Sequence, residues 1–325
     1  MITFIVTTYN LEDWLLRRCL ESIVSQGLER KCYEIIVVDD ESIITPQHIV
    51  DEFSHRANIF LYVQKHSRQG AARNLALRHA KGEWIQFVDG DDYLFPNAIS
   101  SCLEKAEANS LDLLLFGFRK VGEELCQPKE YNGLSAIISG NEYMQRYNLF
   151  GSCCTLLFRR SLCFDECYGE PLFFTEQIYL EDEEFVTRLV WRAQHMAKTD
   201  RVVYAYYQRS GSTTHNYTRE HTDELFRNSF VVLRRLLDFE SSLALTRHEG
   251  LTRKIRFIAV DVLRRALRDS DWQLRWKDSV SQLRDLGLYP LPSANYSCKY
   301  CTFRMLASTR MGQMLLRFCE KRMNG

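Results

Sequence analysis

Three carboxylates surround a single glycine at the end of an apolar segment. In "WIQFVDGDDYLF", residues 84–95, these are Asp89, Asp91 and Asp92. Like charges this close repel one another and lose hydration energy unless a cation compensates them. A divalent cation such as Mg²⁺ or Mn²⁺ prefers carboxylate oxygens and commonly shares them with substrate phosphates. The spacing therefore favours a metal site for a phosphate-bearing ligand over the alternative, a solvated Asp-Gly turn.

The segments that must position these carboxylates alternate between two patterns over residues 1–118. Continuous runs of Ile, Val, Leu and Phe predict buried strands, and apolar residues three or four positions apart predict helices between them. Such alternation is typical of an α/β fold, in which helices cover both faces of a doubly wound, mostly parallel sheet. Ligands of these sheets bind at the carboxyl ends of the strands. Asp39 and Asp40 follow the predicted strand "YEIIVV", so we expect them near the three carboxylates.

The composition of the chain changes near residue 216. Residues 1–215 contain 22 Lys and Arg against 30 Asp and Glu, whereas residues 216–325 contain 20 against 12 and have a helical apolar period throughout. We therefore predict an α/β domain over residues 1–215 and a helical C-terminal region over residues 216–325. The basic helices either form a solvated charged surface or meet anionic lipid.

The last predicted helix, "RMLASTRMGQMLLRFCEKR", carries large apolar residues on one face: Met305, Met311, Met314, Leu315 and Phe318. A basic amphipathic helix of this kind either lies in a membrane interface or packs on the protein with its charged face outward. No apolar run approaches the roughly 18 residues that span a bilayer, and the 11 scattered cysteines favour reduced thiols. We therefore expect a cytoplasmic protein. The positive charge follows no nucleic-acid-binding module, so nucleic acid is not an expected partner.

At four places in order, the chain resembles the inverting family 2 glycosyltransferases of the GT-A fold, especially bacterial enzymes that build surface polysaccharides. "FIVTTYNLEDWLLRRCLESIVSQ" resembles the family's opening strand and helix, "YEIIVVDDES" its second strand, "RQGAARNLALRHAKGEWIQFVDGDD" its central block, and "LEDEEF" its later acidic motif. The resemblance covers about residues 1–215 and implies a Rossmann-like GT-A domain. The chain departs from the family at Glu41, where glycine is usual, and at Thr8, where proline is common.

The resemblance also implies a role for each motif. Asp91, with Asp89 and Asp92, matches the aspartates that hold Mn²⁺ or Mg²⁺ on the donor diphosphate. Asp182 matches the base that takes the proton of the acceptor hydroxyl, and Glu181 matches the acceptor side of the site. Acids in the first turn of a helix also offset the helix macrodipole without any chemistry. The positions that match contacts to the donor nucleotide are Thr8, Tyr9, Asp39, Asp40, Arg73, Asp89 and Gly90.

The implied reaction is an inverting, metal-dependent transfer of a sugar from a nucleoside diphosphate sugar, with UDP favoured, to a hydroxyl of a glycan or lipid-linked acceptor. The product would belong to a capsule, lipopolysaccharide or exopolysaccharide, made at the inner face of the cytoplasmic membrane. One alternative is a non-catalytic relative that binds a nucleotide sugar or a partner protein. A sugar nucleotidyltransferase is less favoured, because "TTYNLEDWLL" is acidic and contains no glycine-rich phosphate loop.

Overall fold

The computed structural model describes residues 1–122, 133–208, 218–243 and 248–324. The chain forms two compact units, one of Met1–Tyr143 with Phe150–Thr218 and one of Met144–Leu149 with Arg219–Gly325. The predicted boundary near residue 216 lies outside the described residues. Among the helices in the described ranges, none is long and apolar enough to cross a membrane.

A mixed sheet forms the centre of the first unit. Over the described residues its strands are β1 (Ile2–Thr8), β2 (Tyr33–Asp39), β3 (Ile59–Val63), β4 (Trp84–Asp89), β5 (Tyr93–Leu94), β6 (Leu113–Val121), β7 (Leu156–Arg159) and β8 (Met196–Tyr207). Their order across the sheet is β3-β2-β1-β4-β7-β6-β8-β5. The first four strands in this order are parallel, and β7 is antiparallel to both of its neighbours. The predicted α/β class with a GT-A type sheet is thereby confirmed.

Helices connect the strands and make up the second unit. Those of the first stretch of chain are α1 (Asp13–Val24), α2 (Gln47–Phe53), α3 (Arg68–His79), α4 (Ala98–Ala108), α5 (Gly140–Arg146), α6 (Ser161–Phe164) and α7 (Glu181–Arg192). Those that follow residue 218 are α8 (Arg219–Ser242), α9 (Glu249–Arg268), α10 (Trp272–Asp285), α11 (Cys298–Ala307) and α12 (Arg310–Asn324).

The parallel strands bring their carboxyl ends to one edge of the sheet. Every residue of β1 and β2 is buried, which explains their continuous apolar sequences. In the register of these strands Thr8 pairs with Asp39, and Thr7 pairs with Asp89. The Asp39–Asp40 pair and the Asp89–Asp92 turn therefore begin on either side of the end of β1.

A short pairing fixes the turn that follows β4. Tyr93 and Leu94 of β5 pair with Ala205 and Tyr204 of β8. Because β5 begins only four residues after Asp89, this pairing holds the Asp-Gly-Asp-Asp turn against β8. A strand more than 100 residues away in sequence thus positions the predicted metal motif.

The second unit includes a short segment from the middle of the chain. Two side chains of α9 hold this segment, Met144–Leu149, through its backbone carbonyls. Arg253 donates to the oxygens of Met144 at 2.8 Å and Tyr147 at 2.7 Å, and Lys254 donates to that of Leu149 at 2.8 Å. These buried cations compensate carbonyls that would otherwise lack partners.

The last predicted helix is in fact two helices, α11 and α12, separated at Ser308 and Thr309. Both residues bond locally: the Ser308 hydroxyl donates to the carbonyl of Met305 at 2.6 Å, and the Thr309 hydroxyl accepts from the amide of Gly312 at 3.1 Å. Serine and threonine compete with helical hydrogen bonds in this way and favour helix ends. The apolar periodicity alone did not reveal the break.

Candidate active site

The ends of β1, β2 and β4 and the start of α7 surround one open cavity of about 580 Å³. Of the residues predicted from the sequence, seven line it: Thr8, Tyr9, Asp40, Asp89, Gly90, Asp91 and Glu181. Four others do not line the cavity and support its walls from behind: Asp39, Arg73, Asp92 and Asp182. The structure therefore brings the predicted residues together around one cavity, some at its surface and some behind it, and their roles stay predictions.

An aromatic surface lies at the end of β1. The Tyr9 ring is half exposed and stacks on His66, with ring centroids 4.4 Å apart and planes 28° apart. His66 is fixed in turn by Asp40, whose carboxylate lies 2.9 Å from the imidazole Nδ1. A planar base could stack on the exposed side of Tyr9.

Of the acidic pair at the end of β2, Asp40 lines the cavity and Asp39 does not. Asp39 is fully buried, and its carboxylate accepts from the hydroxyl and amide of Ser42. Asp40 accepts from the amides of Ser67 and Arg68, each at 2.9 Å. Its carboxylate therefore ties the end of β2 to the start of α3.

Gly90 lets the aspartate turn approach β1 closely. Its amide donates to the carbonyl of Thr7 at 3.0 Å, and a Cβ atom at this position would lie only 2.9 Å from the same oxygen. The next residue, Asp91, accepts from Arg18 Nη2 at 2.7 Å through its backbone carbonyl. Arg18 itself lies against three aromatic rings, those of Trp14, Tyr93 and Tyr207.

Asp92 faces away from the cavity, so the structure does not bring it into the predicted metal-binding group. Its side chain is buried and accepts from the Tyr204 hydroxyl at 2.6 Å and from the Tyr207 amide at 2.7 Å. Burial, together with the negative charges of Asp89 and Asp91, raises the pKa of Asp92 to about 8. The Tyr204 oxygen also accepts from the amide of Asp89 at 3.1 Å, so one hydroxyl holds both ends of the turn.

Arg73 is buried and does not line the cavity, and its predicted contact with the donor nucleotide stays a prediction. Its side chain is 2% exposed, and its guanidinium contacts Asp89 at 3.0 Å, Glu181 at 2.9 Å and Asp182. A planar guanidinium donates several hydrogen bonds in fixed directions and can bind several carboxylates at once. A lysine ammonium cannot do this with the same geometry. Arg73 therefore links the aspartate turn to the start of α7.

The two acids at the start of α7 have different surroundings. Glu181 lines the cavity, and burial together with the charge of Asp182 raises its pKa to about 7, although Arg73 opposes the shift. Asp182 is about one quarter exposed and contacts Arg73 through one oxygen and the Cys153 amide, 3.4 Å away, through the other. Either carboxylate has the chemistry of a general base, and their assigned roles remain predictions.

Over the described residues, no group of three or more His, Cys, Asp or Glu side chains is arranged to hold a metal ion. Asp89 and Asp91 nevertheless supply carboxylates from the cavity wall. This donor set fits Mg²⁺ or Mn²⁺, which commonly take one or two protein carboxylates and complete their coordination with substrate phosphates and water.

Sequence reasoning missed ten of the residues that line the cavity, among them His66, Arg68, Gln69, Tyr179 and Tyr206. Arg68 and Gln69 fall within the central block "RQGAARN". Their position at the start of a predicted helix, just after a strand, could have indicated that they line the site. His66, Tyr179 and Tyr206 lie in loops or at the end of β8, where no spacing distinguishes them.

The class of protein follows from the sheet, the aspartate turn and the acidic helix start taken together: the chain has the GT-A fold of glycosyltransferases. It belongs to the family described as glycosyl transferase family 2, whose model matches residues 3–164. The resemblance drawn from the four motifs is thereby confirmed.

Several known proteins are similar to this chain. The poly(ribitol-phosphate) beta-glucosyltransferase of Bacillus spizizenii is 34% identical over 35% of this chain and 18% of its own length. Glycosyltransferase GlyA of Streptococcus pneumoniae is 28% identical over 67% of this chain and 32% of its own length. The chain thus spans a third or less of the length of both. Residues 1–349 of S. aureus TarS, solved with UDP-GlcNAc, share the fold with a TM-score of 0.70 at 20% identity, over 99% of this chain and 91% of that one.

Proposed function

We propose that this protein transfers a sugar, with inversion and with the aid of Mg²⁺ or Mn²⁺, from a UDP-sugar to a hydroxyl of a bacterial surface glycan or its lipid-linked precursor. The observation that carries this proposal is the cavity that Tyr9, Asp40 and the Asp89–Asp91 turn line together with Glu181, the first residue of α7. UDP is the favoured nucleotide because TarS, which has the same fold, binds UDP-GlcNAc. The similarity to a poly(ribitol-phosphate) glucosyltransferase supports a surface polymer as the acceptor.

The donor would bind along the strand ends. Tyr9 would stack on the base, and Gly90, which lets the turn pack closely on β1, would hold the turn beside the diphosphate. Asp89 and Asp91 would hold the divalent cation, which when bound neutralises charge on the departing diphosphate. Arg73 would keep Asp89 in place, because it fixes that carboxylate from behind.

Transfer with inversion needs a base on the side of the anomeric carbon opposite the leaving group. We assign this role to Asp182, which takes the proton of the acceptor hydroxyl as the hydroxyl attacks. Arg73 and the Cys153 amide fix its two oxygens. Glu181, whose pKa lies at about 7, would carry a proton during part of the cycle and donate a hydrogen bond to the acceptor.

Calorimetric titration tests the donor site. Wild type is titrated with UDP, GDP and dTDP, each with and without Mn²⁺, and the same series is run on Asp91→Ala. We expect UDP to bind in a Mn²⁺-dependent manner and this binding to be lost in the variant. Absence of binding by every nucleotide would overturn the donor-site assignment and favour a non-catalytic relative. Transfer activity that survives Asp182→Asn would likewise contradict the proposed base.

We also propose that α12 attaches the protein to an anionic membrane surface. Four large apolar side chains of this helix are each more than half exposed: Met311, Met314, Leu315 and Phe318. They lie at positions i, i+3, i+4 and i+7 and so form one stripe. Its polar side packs inward, because Glu320 is buried and accepts from Arg264 and Arg268 of α9. Exposed basic residues border the stripe: Arg310, Lys321 and Arg322.

Vesicle co-sedimentation tests this attachment. We expect binding to vesicles of phosphatidylglycerol mixed with phosphatidylcholine, and weaker binding to phosphatidylcholine alone. Phe318→Ser should weaken binding about tenfold, whereas Leu274→Ser, at an equally exposed leucine of α10, should leave it unchanged. Equal binding of both variants would contradict a role for the stripe. Concentration-dependent dimers without vesicle binding would assign it instead to a second copy of the chain.

A further inference from the structure

Two exposed phenylalanines stack on one another in the first unit. Phe118 of β6 and Phe150 have ring centroids 5.2 Å apart and planes 14° apart. They are 38% and 59% exposed, although rings of this size normally bury most of their surface. Stacking holds the rings in a fixed orientation and leaves apolar area facing solvent, which is the form of a binding platform.

The segment that carries Phe150 passes directly against the start of α7. At Gly151 a Cβ atom would lie 2.9 Å from the Cα of Glu183, so the two backbones are in contact. Two residues further on, the amide of Cys153 donates to Asp182 Oδ2 at 3.4 Å. Three residues of chain reach at most about 10 Å. Phe150 is therefore a near neighbour of the proposed base.

The register of the sheet gives Phe118 a related position. In the parallel pairing of β6 with β8, Phe118 pairs with Tyr204 and Lys120 pairs with Tyr206. Tyr204 reaches the aspartate turn through its hydroxyl, and Tyr206 lines the cavity. Phe118 thus lies on the strand next to β8, whose end lines the cavity.

The chemistry of the platform matches a sugar ring. One face of a pyranose presents C–H groups, which carry small positive charges and are attracted to the negative face of an aromatic ring. The hydroxyls at the rim of the sugar stay in water, so a partly exposed platform suits this ligand better than a closed apolar pocket would. We propose that the Phe118–Phe150 platform binds a pyranose ring of the acceptor. This inference rests on the proposed function, because it takes the acceptor to be a glycan.

Saturation-transfer difference NMR tests the platform with three disaccharide probes: cellobiose, chitobiose and maltose. Each probe is added to wild type, Phe150→Ala, Phe150→Trp and Phe60→Ala, in the presence of UDP and Mn²⁺. Phe60 is the matched control, because it is a comparably exposed phenylalanine on β3. We expect saturation transfer from wild type to the ring C–H protons of at least one probe. Binding of that probe should be about threefold to tenfold weaker in Phe150→Ala. Phe150→Trp, which keeps an aromatic face, and Phe60→Ala should bind it as wild type does.

Two results would overturn the proposal. One is equal binding of the probes by wild type and Phe150→Ala, and the other is no saturation transfer from wild type to any of the three. Calorimetric binding of UDP, measured on the same four proteins, separates this outcome from failure of the proposed function. If UDP binds equally to all four while the sugars fail, only the platform is wrong, and the equal UDP binding also shows that the variants are folded. If UDP does not bind to wild type, the donor site itself is wrong.

Discussion

Two acidic segments, the Asp89–Asp92 turn and the start of α7, face the same cavity. The protein compensates their charges in different ways. Backbone groups and tyrosines hold the turn of Asp89, Asp91 and Asp92, so that one carboxylate is buried, one is tied to Arg73, and one is left at the cavity wall. A single buried guanidinium holds the start of α7. The same residue type is thus a buried support in one position and part of the cavity wall in another, and the environment decides which.

Replacing the shared guanidinium should have the largest effect. Arg73→Met leaves three carboxylates around an apolar side chain, and breaking a buried ion pair in this way costs about 3–5 kcal/mol of the free energy of unfolding. Urea denaturation measures the loss. Arg17→Met is the control, because its ion pair with Glu52 lies at the surface and should matter little. If both variants had the same midpoint, Arg73 would not be the link between the two acidic segments.

Neutralising the cavity-lining carboxylate of the turn, Asp91, should affect activity and not stability. Asp91→Asn removes a charge from the proposed metal site, and we expect donor turnover to fall about 100- to 1000-fold, the range seen when one electrostatic stabiliser is lost. The midpoint in urea should stay near that of wild type. A variant with wild-type turnover of the UDP-sugar would remove Asp91 from the site.

Adding a methyl group to the turn should have an intermediate effect. Gly90→Ala places a Cβ 2.9 Å from the Thr7 carbonyl oxygen, so β1 and the turn must move apart. We expect this to lower the free energy of unfolding by about 1–3 kcal/mol and to weaken UDP binding. Gly122→Ala is the matched control, because among the described residues, its chain neighbours aside, no atom lies within 4 Å of the added methyl group. Equal UDP affinity in the two variants would show that close contact between the turn and β1 is not required.

The smallest effect concerns pH. The pKa of Asp92 lies above that of an unfolded aspartate, so its contribution to stability is complete below pH 4 and is lost as the pH rises toward about 8. Asp92→Asn removes the carboxyl group that titrates, so the variant does not lose stability at this position as the pH rises. The variant should therefore gain stability relative to wild type between pH 5 and pH 8, by about 1 kcal/mol or more. Parallel stability profiles of the two proteins across this range would argue that Asp92 is ionised in the folded state.

The sequence predicted those features that depend on neighbours along the chain. Buried strands follow from continuous apolar runs, and the edge of the sheet that carries Asp40 and Asp91 follows from parallel pairing. The orientation of Asp92 depends on Tyr204 and Tyr207, more than 100 residues away, and no spacing reveals such a contact. The burial of Arg73 depends equally on α7, 108 residues further on. Long-range packing thus decided which predicted residues reach the cavity.

The buried carboxylate behind the turn has a consequence for how ligands bind. Near neutral pH, Asp92 and Glu181 each hold a proton for part of the time, because their pKa values are about 8 and about 7. A cation bound between the two acidic segments would lower both values and expel protons into the solvent. Uptake of the metal would then be seen as acidification of an unbuffered solution and as a binding enthalpy that changes with the ionisation enthalpy of the buffer.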